Sequence, residues 1–190
     1  MPPKPPPPPP KSAGPTRSAS DAKKPWVVLS FDPAGDFGWC VLTKSGKRLE
    51  SGTWKLHKPS LKQGGGIRLL NLRVNIMTLI DKYLTLGYRI AVIGYEYSVN
   101  LRGRVAAKVS GEYEGQIKVA AQERGIPFTD VAYADAKRAA TGDKAKASKA
   151  QMVAYANARW VDREVVDDNE ADACFVGVHL IETYGPGMIG

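Results

Sequence analysis

The sequence predicts an α/β fold, and two observations carry that prediction. The first is Trp26 to Leu42, WVVLSFDPAGDFGWCVL, which has the pattern of a buried strand, a tight turn and a second strand. A third strand pattern at 48–55 extends it into an antiparallel meander. The second observation is that further strand patterns, at 89–96 and 126–133, alternate with helical patterns. We therefore expect five strands with helices between them.

Composition divides the chain into an arm and one domain. Residues 1–25 hold ten of the fourteen prolines and carry a net charge of +4, so we expect a disordered, basic, proline-rich arm. Residues 26–190 are long enough for one domain with a real core, since 43% of the whole chain is apolar. Nonspecific DNA affinity, a proline-reading partner and a plain solubilising role remain open for the arm.

Charge and cysteine content limit the class of protein. A net charge of +8 and a pI of about 9.5 favour a polyanionic partner such as nucleic acid. Cys40 and Cys174 form no CxxC pair, which favours a reduced intracellular protein. No apolar run has the length of a membrane span, and the N-terminus lacks the apolar core of a signal peptide. We expect a cytoplasmic location.

Helical periodicity is clearest between residues 67 and 86. Its apolar positions recur at spacings of three and four: Leu70, Val74, Met77, Ile80 and Leu84. Further helices are predicted at 102–124, 148–159 and 167–184. The glycines at 64–66 lack the lysine and hydroxyl of a phosphate-binding P-loop, so we interpret them as a connection.

Single acids end two predicted inner strands. Asp32 follows the first strand and Glu96 ends the fourth. Taken alone, Asp32 is explained equally well as a turn residue and as a metal ligand. If both strands end at the same edge of the sheet, the two carboxylates meet there and need a cation between them.

The last predicted helix begins with acids and becomes apolar. Asp168 and Asp172 are four residues apart and share a face, with Asn169 beside them. The helix dipole explains an acid in the first turn, but Asp172 lies deeper, where an unpaired carboxylate is costly. We interpret His179 as a packing or surface residue.

A basic segment precedes that helix. Residues 134–150 could form a solvated face, but their position near the proposed acidic edge favours phosphate contacts. The expected DNA-binding residues are Arg102, Arg104, Lys108, Lys137, Arg138, Lys144, Lys146 and Lys149.

These motifs, in this order, resemble the RuvC family of Holliday junction resolvases, particularly its phage-type members. The motifs are FDPAGDFGW, IGYE, AKRAATG, ASKAQM and NEADA, and they span residues 26 to about 179. The resemblance implies an RNase H-like fold, with a five-stranded mixed sheet flanked by helices. It also implies a homodimer that acts on branched DNA, chiefly four-way junctions.

The resemblance also assigns residues. Asp32, Glu96 and Asp172 match the family's acids, and two lysines, Lys137 and Lys149, match basic residues that approach DNA. The family's fourth ligand falls on Asn169, so either Asn169 or the preceding Asp168 completes the site. Bacterial members place a wedging aromatic residue after the glutamate strand, where this chain has Val99, with Tyr97 as the nearest aromatic.

The expected activity is a metal-dependent endonuclease that resolves four-way junctions by paired symmetric nicks. Its expected cofactors are two Mg²⁺ ions per site, with Mn²⁺ as a substitute, because all the ligands offer oxygen. Three alternatives were weighed: a broader nuclease for flaps, forks and displaced loops; a noncatalytic junction-binding protein; and an ATP-binding protein of the actin and sugar-kinase type. The last would need a second phosphate loop and a duplicated domain.

Overall fold

The computed structural model describes residues 24–56, 65–97, 104–142 and 146–184, with side chains for all of them except 104–106. Residues 1–23 of the predicted arm lie outside these ranges. So do His57, Val99, Arg102 and Lys144. None of the described helices combines the length and the apolar character that crossing a bilayer requires.

Within the described ranges, five strands form one mixed sheet, which confirms the predicted fold class. The elements in chain order are β1 (Trp26–Asp32), β2 (Phe37–Thr43), β3 (Arg48–Trp54), α1 (Gly66–Thr85), β4 (Arg89–Tyr97), α2 (Arg104–Glu123), β5 (Phe128–Ala132), α3 (Tyr133–Thr141), α4 (Lys149–Arg159) and α5 (Asp168–Thr183). The strand order is β3-β2-β1-β4-β5. β1, β2 and β3 pair antiparallel, and β4 and β5 continue the sheet in parallel with β1.

Each face of the sheet is covered by helices, because successive strand residues point to opposite sides. Val27, Leu29 and Phe31 of β1 pack with α1 and α2 in one apolar cluster. Val28 belongs to a second cluster with residues of α3, α4 and α5. β1 is therefore buried on both faces, as its continuous apolar run predicts.

The buried face of α1 differs from the prediction. Leu70, Val74 and Leu84 are 56%, 54% and 41% exposed. The buried residues of α1 are Leu72, Ile76, Leu79, Ile80 and Tyr83, so of the predicted positions Ile80 is buried, and Met77 packs against the same core. The exposed and the buried apolar positions both recur at spacings of three and four, so periodicity alone does not tell which stripe meets the core.

The ends of α4 and α5 are set by side-chain caps. Ser148 and Gln151 form a reciprocal capping box at the start of α4. The Asp167 carboxylate accepts a hydrogen bond from the Glu170 backbone amide (2.9 Å) and one from the Thr53 hydroxyl (2.8 Å). The second bond ties the start of α5 to strand β3.

Candidate active site

Two strands bring a carboxylate to the same end of the sheet. Asp32 is the last residue of β1, and Glu96 is the last but one of β4. These strands are parallel neighbours with Phe31 aligned to Tyr95, so the two acids lie side by side. Since Phe31 and Tyr95 pack with α1 and α2, Asp32 and Glu96 point to the α5 face. Each of the two acids is 8% exposed.

Helix α5 adds two more acids above that edge. Asp168 is the first residue of α5, and Asp172 lies one turn later on the same side. The first turn of α5 rests on the backbone of β2, where a Cβ on Gly38 would lie 2.0 Å from the carbonyl oxygen of Asn169. No side chain larger than hydrogen fits between them, so Gly38 sets how closely α5 approaches the strand ends.

The four acids line one pocket of about 220 Å³. Its lining residues are Asp32, Pro33, Ala34, Glu96, Ser110, Tyr133, Lys137, Lys149, Asp168, Asn169 and Asp172. Asn169 and Asp168 both line the pocket, so the choice between them as a fourth ligand stays open. Ser110 and Tyr133 were not predicted at this site, because neither has a sequence pattern that places it near the strand ends.

Burial and mutual repulsion raise the pKa of three of these carboxyl groups. Burial raises the pKa of Asp32 well above its ordinary value, and the charge of Glu96 is the next cause. Burial, followed by the charge of Asp172, raises the pKa of Glu96 to about 7. Burial also raises the pKa of Asp172, although Lys137 opposes this. Positive charge in the pocket would favour the ionised forms of all three groups.

Two lysines partly supply that charge. Lys137 is almost fully buried, and its ammonium lies 3.3 Å from Oδ1 of Asp172 and 4.7 Å from the centre of the Tyr133 ring. Lys149 is largely exposed and pairs with Asp168 at 2.5 Å. Lys137 was predicted to contact DNA as part of a basic segment. It lies inside the pocket, where only a group that enters the pocket reaches it, and its contact with DNA stays a prediction.

One pocket oxygen has no partner. Oε2 of Glu96 is buried and makes no hydrogen bond to the described residues, an arrangement that costs free energy. An oxygen-binding divalent cation fits this donor set of carboxylates. Within the described ranges, no group of three or more acidic, histidine or cysteine side chains is already arranged as a metal site. Asp168 and Asp172 are held by lysines, and a cation would have to draw them away.

Three other predicted DNA-binding residues have described side chains, and none of the three lines the pocket. Arg138 is exposed and pairs with Asp135 on α3. Lys108 is exposed on α2 and lies 3.8 Å from Glu112. Lys146 is exposed before α4. Arg104 begins α2, where only the backbone is described. Their contacts with DNA stay predictions.

A second polar cluster joins the first turn of α5 to strand β3, next to the pocket. Glu170 of α5 is 1% exposed and accepts hydrogen bonds from the Ser51 hydroxyl (2.6 Å) and from Arg163. Arg163 also donates to the backbone oxygen of Ser51 at 2.6 Å. The helix dipole was the predicted reason for acids in the first turn of α5, but Glu170 is a buried link to strand β3. This link fixes the turn that carries Asp168.

Two wider clefts open at the opposite end of the sheet. They have volumes of about 470 Å³ and 730 Å³ and share Ser45, in the turn between β2 and β3. Of their lining residues only Asp162 is acidic, and it pairs with Arg48. The smaller pocket at the strand ends therefore has the stronger claim to metal-dependent chemistry.

A mixed sheet of this order, with helices on both faces, has the architecture of the RNase H-like fold class. Within that class the fold is that of the RuvC Holliday junction resolvases, as structural comparison shows. T. thermophilus RuvC in complex with a Holliday junction substrate superposes with a TM-score of 0.70 and 19% identity, over 86% of this chain and 97% of that chain.

Two further solved structures are similar. Another structure of T. thermophilus RuvC gives a TM-score of 0.66 at 20% identity, covering 83% of this chain and 94% of that one. The yeast mitochondrial Holliday junction resolvase gives 0.50 at 16% identity, covering 83% and 78%. Comparisons with protein-family profiles and with curated protein sequences gave no match. At these identities the likeness establishes the fold.

Proposed function

We propose that this protein is a metal-dependent endonuclease that resolves four-way DNA junctions by paired symmetric nicks. The observation that carries the proposal is the pocket at the ends of β1 and β4, which four acids line and where a buried Glu96 oxygen has no hydrogen-bond partner among the described residues. The fold adds support, since a RuvC of the same fold was solved with a Holliday junction substrate.

Mg²⁺ is the proposed cofactor, with two ions per site and Mn²⁺ as a substitute. Asp32, Glu96 and Asp172 would hold the ions, with Asp168 or Asn169 completing the set. When bound, such ions stabilise the charge on phosphate oxygens and lower the pKa of an attacking water. The raised pKa of Glu96, about 7, means that the metal-free pocket holds a proton near neutral pH, which an ion would displace.

Two lysines take part through charge. Lys137 is held beside Asp172 inside the pocket, so its ammonium would meet a phosphate that enters there. The exposed Lys149 lies at the mouth of the pocket and would pair with a DNA backbone phosphate next to the one inside the pocket. Each lysine would exchange a carboxylate for a phosphate when DNA and metal bind. Binding would then depend steeply on salt and weakly on base sequence.

A homodimer is the proposed assembly. A four-way junction has approximate two-fold symmetry and needs two opposed nicks. The chain carries one such pocket in its described residues. Two copies related by a two-fold axis would present two pockets to the two equivalent strands.

The test compares the unmodified protein, Asp32→Asn and Asp81→Asn on labelled four-way junctions, forks, flaps and linear duplexes in Mg²⁺ and in Mn²⁺. Asp81 is a matched control because it is an exposed aspartate of α1, on the opposite face of the sheet from the pocket, and it pairs with Arg124. We expect paired nicks near the crossover with the unmodified protein and Asp81→Asn. Asp32→Asn should bind the junction without cutting it.

Two outcomes would contradict the proposal. Binding without cutting in every protein would indicate a noncatalytic junction-binding protein. Cutting by Asp32→Asn at the unmodified rate would place the chemistry outside this pocket.

A further inference from the structure

Tyr133 is an aromatic residue at the mouth of the acidic pocket. It is the first residue of α3 and follows β5 directly, so strand β5 fixes its position. It lines the pocket together with Asp32 and Glu96, yet it is 45% exposed. Tyr97, the aromatic nearest the wedge position in the sequence, is exposed but is absent from the pocket lining.

The two faces of the Tyr133 ring have different surroundings. The Lys137 ammonium lies 4.7 Å from the centre of the ring and is itself buried, so it covers the inner face. The ring lines the pocket and is nevertheless 45% exposed, so the part of it that Lys137 does not cover is open to solvent. An ammonium behind an aromatic ring is an attractive cation–π contact, and it holds the ring in place.

The size of the pocket decides what reaches the ring. At about 220 Å³, the pocket is smaller than the cavities that enclose drug-sized ligands. A pocket of this volume has room for a phosphodiester group, and the attached sugars and bases would then lie around its rim. Tyr133 is the only aromatic side chain among the described residues that line this pocket. Aromatic rings beside a phosphate path are typical stacking platforms for unpaired bases.

We propose that Tyr133 forms a base-binding subsite, in which its outer face stacks on an unpaired nucleobase of a nucleotide that flanks the phosphodiester being cut. This inference rests on the proposed nuclease function and adds to it the selection of substrate. A base in an intact duplex is stacked between its neighbours, and removing it costs free energy. The subsite therefore favours cutting where bases are already unpaired, such as a branch point.

The test is a double-mutant cycle in which one change is made in the protein, the other is made in the DNA, and kcat/KM is measured for each combination. The proteins are unmodified, Tyr133→Phe and Tyr133→Leu, and the junctions carry either an intact base or an abasic site on one side of the mapped nick. Leucine keeps an apolar cover over Lys137 but removes the aromatic face. Tyr155→Leu is the matched control, because Tyr155 is an exposed tyrosine of α4 that does not line the pocket.

We expect Tyr133→Leu to lower kcat/KM on the intact junction by about tenfold to a hundredfold, the range for loss of one stacked base. An abasic site should cause a similar loss with the unmodified protein and little further loss with Tyr133→Leu. Tyr133→Phe should recover the activity. The subsite would be overturned if the effects of Tyr133→Leu and of the abasic site on kcat/KM multiplied, whichever side of the nick carried the abasic site. Equal losses of kcat/KM for Tyr133→Phe and Tyr133→Leu would also overturn it.

Fluorescence separates failure of the subsite from failure of the nuclease proposal. A junction with 2-aminopurine next to the crossover is bound by the same three proteins in Ca²⁺. Stacking changes the fluorescence, so the unmodified protein and Tyr133→Phe should shift it and Tyr133→Leu should not. That result would support the subsite even if no protein cut DNA. Equal fluorescence with all three would refute it.

Discussion

Glu96 should destabilise the metal-free protein at neutral and alkaline pH. Its pKa rises from an ordinary 4.5 to about 7 in the folded protein, chiefly through burial. Between those two pH values the folded state binds more protons than the unfolded state, so the free energy of unfolding falls as pH rises. Glu96→Gln removes the charge and keeps the shape. We therefore expect this variant to be more stable than the unmodified protein above about pH 7.

The size of the effect follows from the shift. A pKa difference of about 2.5 between 4.5 and about 7 corresponds to about 3 kcal/mol. For a domain of this length, about 3 kcal/mol is about 6–12 °C in Tm. The gain should disappear below about pH 4.5, where Glu96 becomes protonated in both the folded and the unfolded state. Burial, followed by the charge of Glu96, also raises the pKa of Asp32. Removing the Glu96 charge should therefore make ionised Asp32 less costly, which adds to the stability of Glu96→Gln.

The measurement is urea unfolding of both proteins at about pH 5 and about pH 8, without divalent cations and then with excess Mg²⁺. Mg²⁺ should stabilise the unmodified protein more than Glu96→Gln, because it binds the folded state through this carboxylate. Glu170→Gln is the matched control. Glu170 is buried too, but it has partners in Ser51 and Arg163, so its substitution should destabilise.

A Glu96→Gln variant that is no more stable than the unmodified protein at about pH 8 would show that the Glu96 charge does not destabilise the fold. A difference in stability that is the same at both pH values would show that the gain does not come from ionisation.

Three further predictions concern the surroundings of the pocket. Gly38→Ala should lower the free energy of unfolding by about 2–3 kcal/mol, because the new Cβ would collide with the first turn of α5. Gly35 has open space around it, so Gly35→Ala should change the free energy of unfolding by no more than about 0.5 kcal/mol. Urea unfolding of both variants measures these changes. Lys137→Met should lower the free energy of unfolding by about 3 kcal/mol at about pH 8, because it leaves the Asp172 carboxylate buried without its partner. An equal decrease at acidic pH, where the Asp172 carboxyl is protonated, would disprove this cause. The logarithm of the association constant for the junction, measured by fluorescence anisotropy, should fall linearly with the logarithm of the salt concentration. Lys149→Gln should reduce the magnitude of this slope by about 1. An unchanged slope would mean that Lys149 contacts no phosphate.

The sequence predicted the edge of the sheet at which the acids lie because strand patterns are local. Asp32 and Glu96 each end an apolar run, and parallel neighbours end at the same edge. Asp172 stood out since it is followed by apolar residues, where an unpaired acid is costly. The roles of these acids as metal ligands stay predictions.

Features that depend on tertiary packing were missed. The two stripes of α1 have the same period, and only contact with the sheet selects the one with Ile76. The burial of Lys137 depends on where α3 meets α5, which no charge pattern encodes. Glu170 has the sequence context of a dipole-facing acid, and its partner Ser51 lies 119 residues away. Tyr133 follows a short strand with no local signal of a pocket.

The pocket draws its acids from distant parts of the chain. Asp32 belongs to the first described strand, and Asp168 and Asp172 belong to the last described helix, so residues 140 positions apart have to meet. During synthesis, a ribosome-bound chain that lacks α5 has the strand-end acids without the helix that covers them. Such a nascent chain cannot form the pocket, whatever else has folded. Any activity that needs this pocket would therefore begin only once α5 has been synthesised and has docked on the sheet, and a product truncated before α5 should lack that activity.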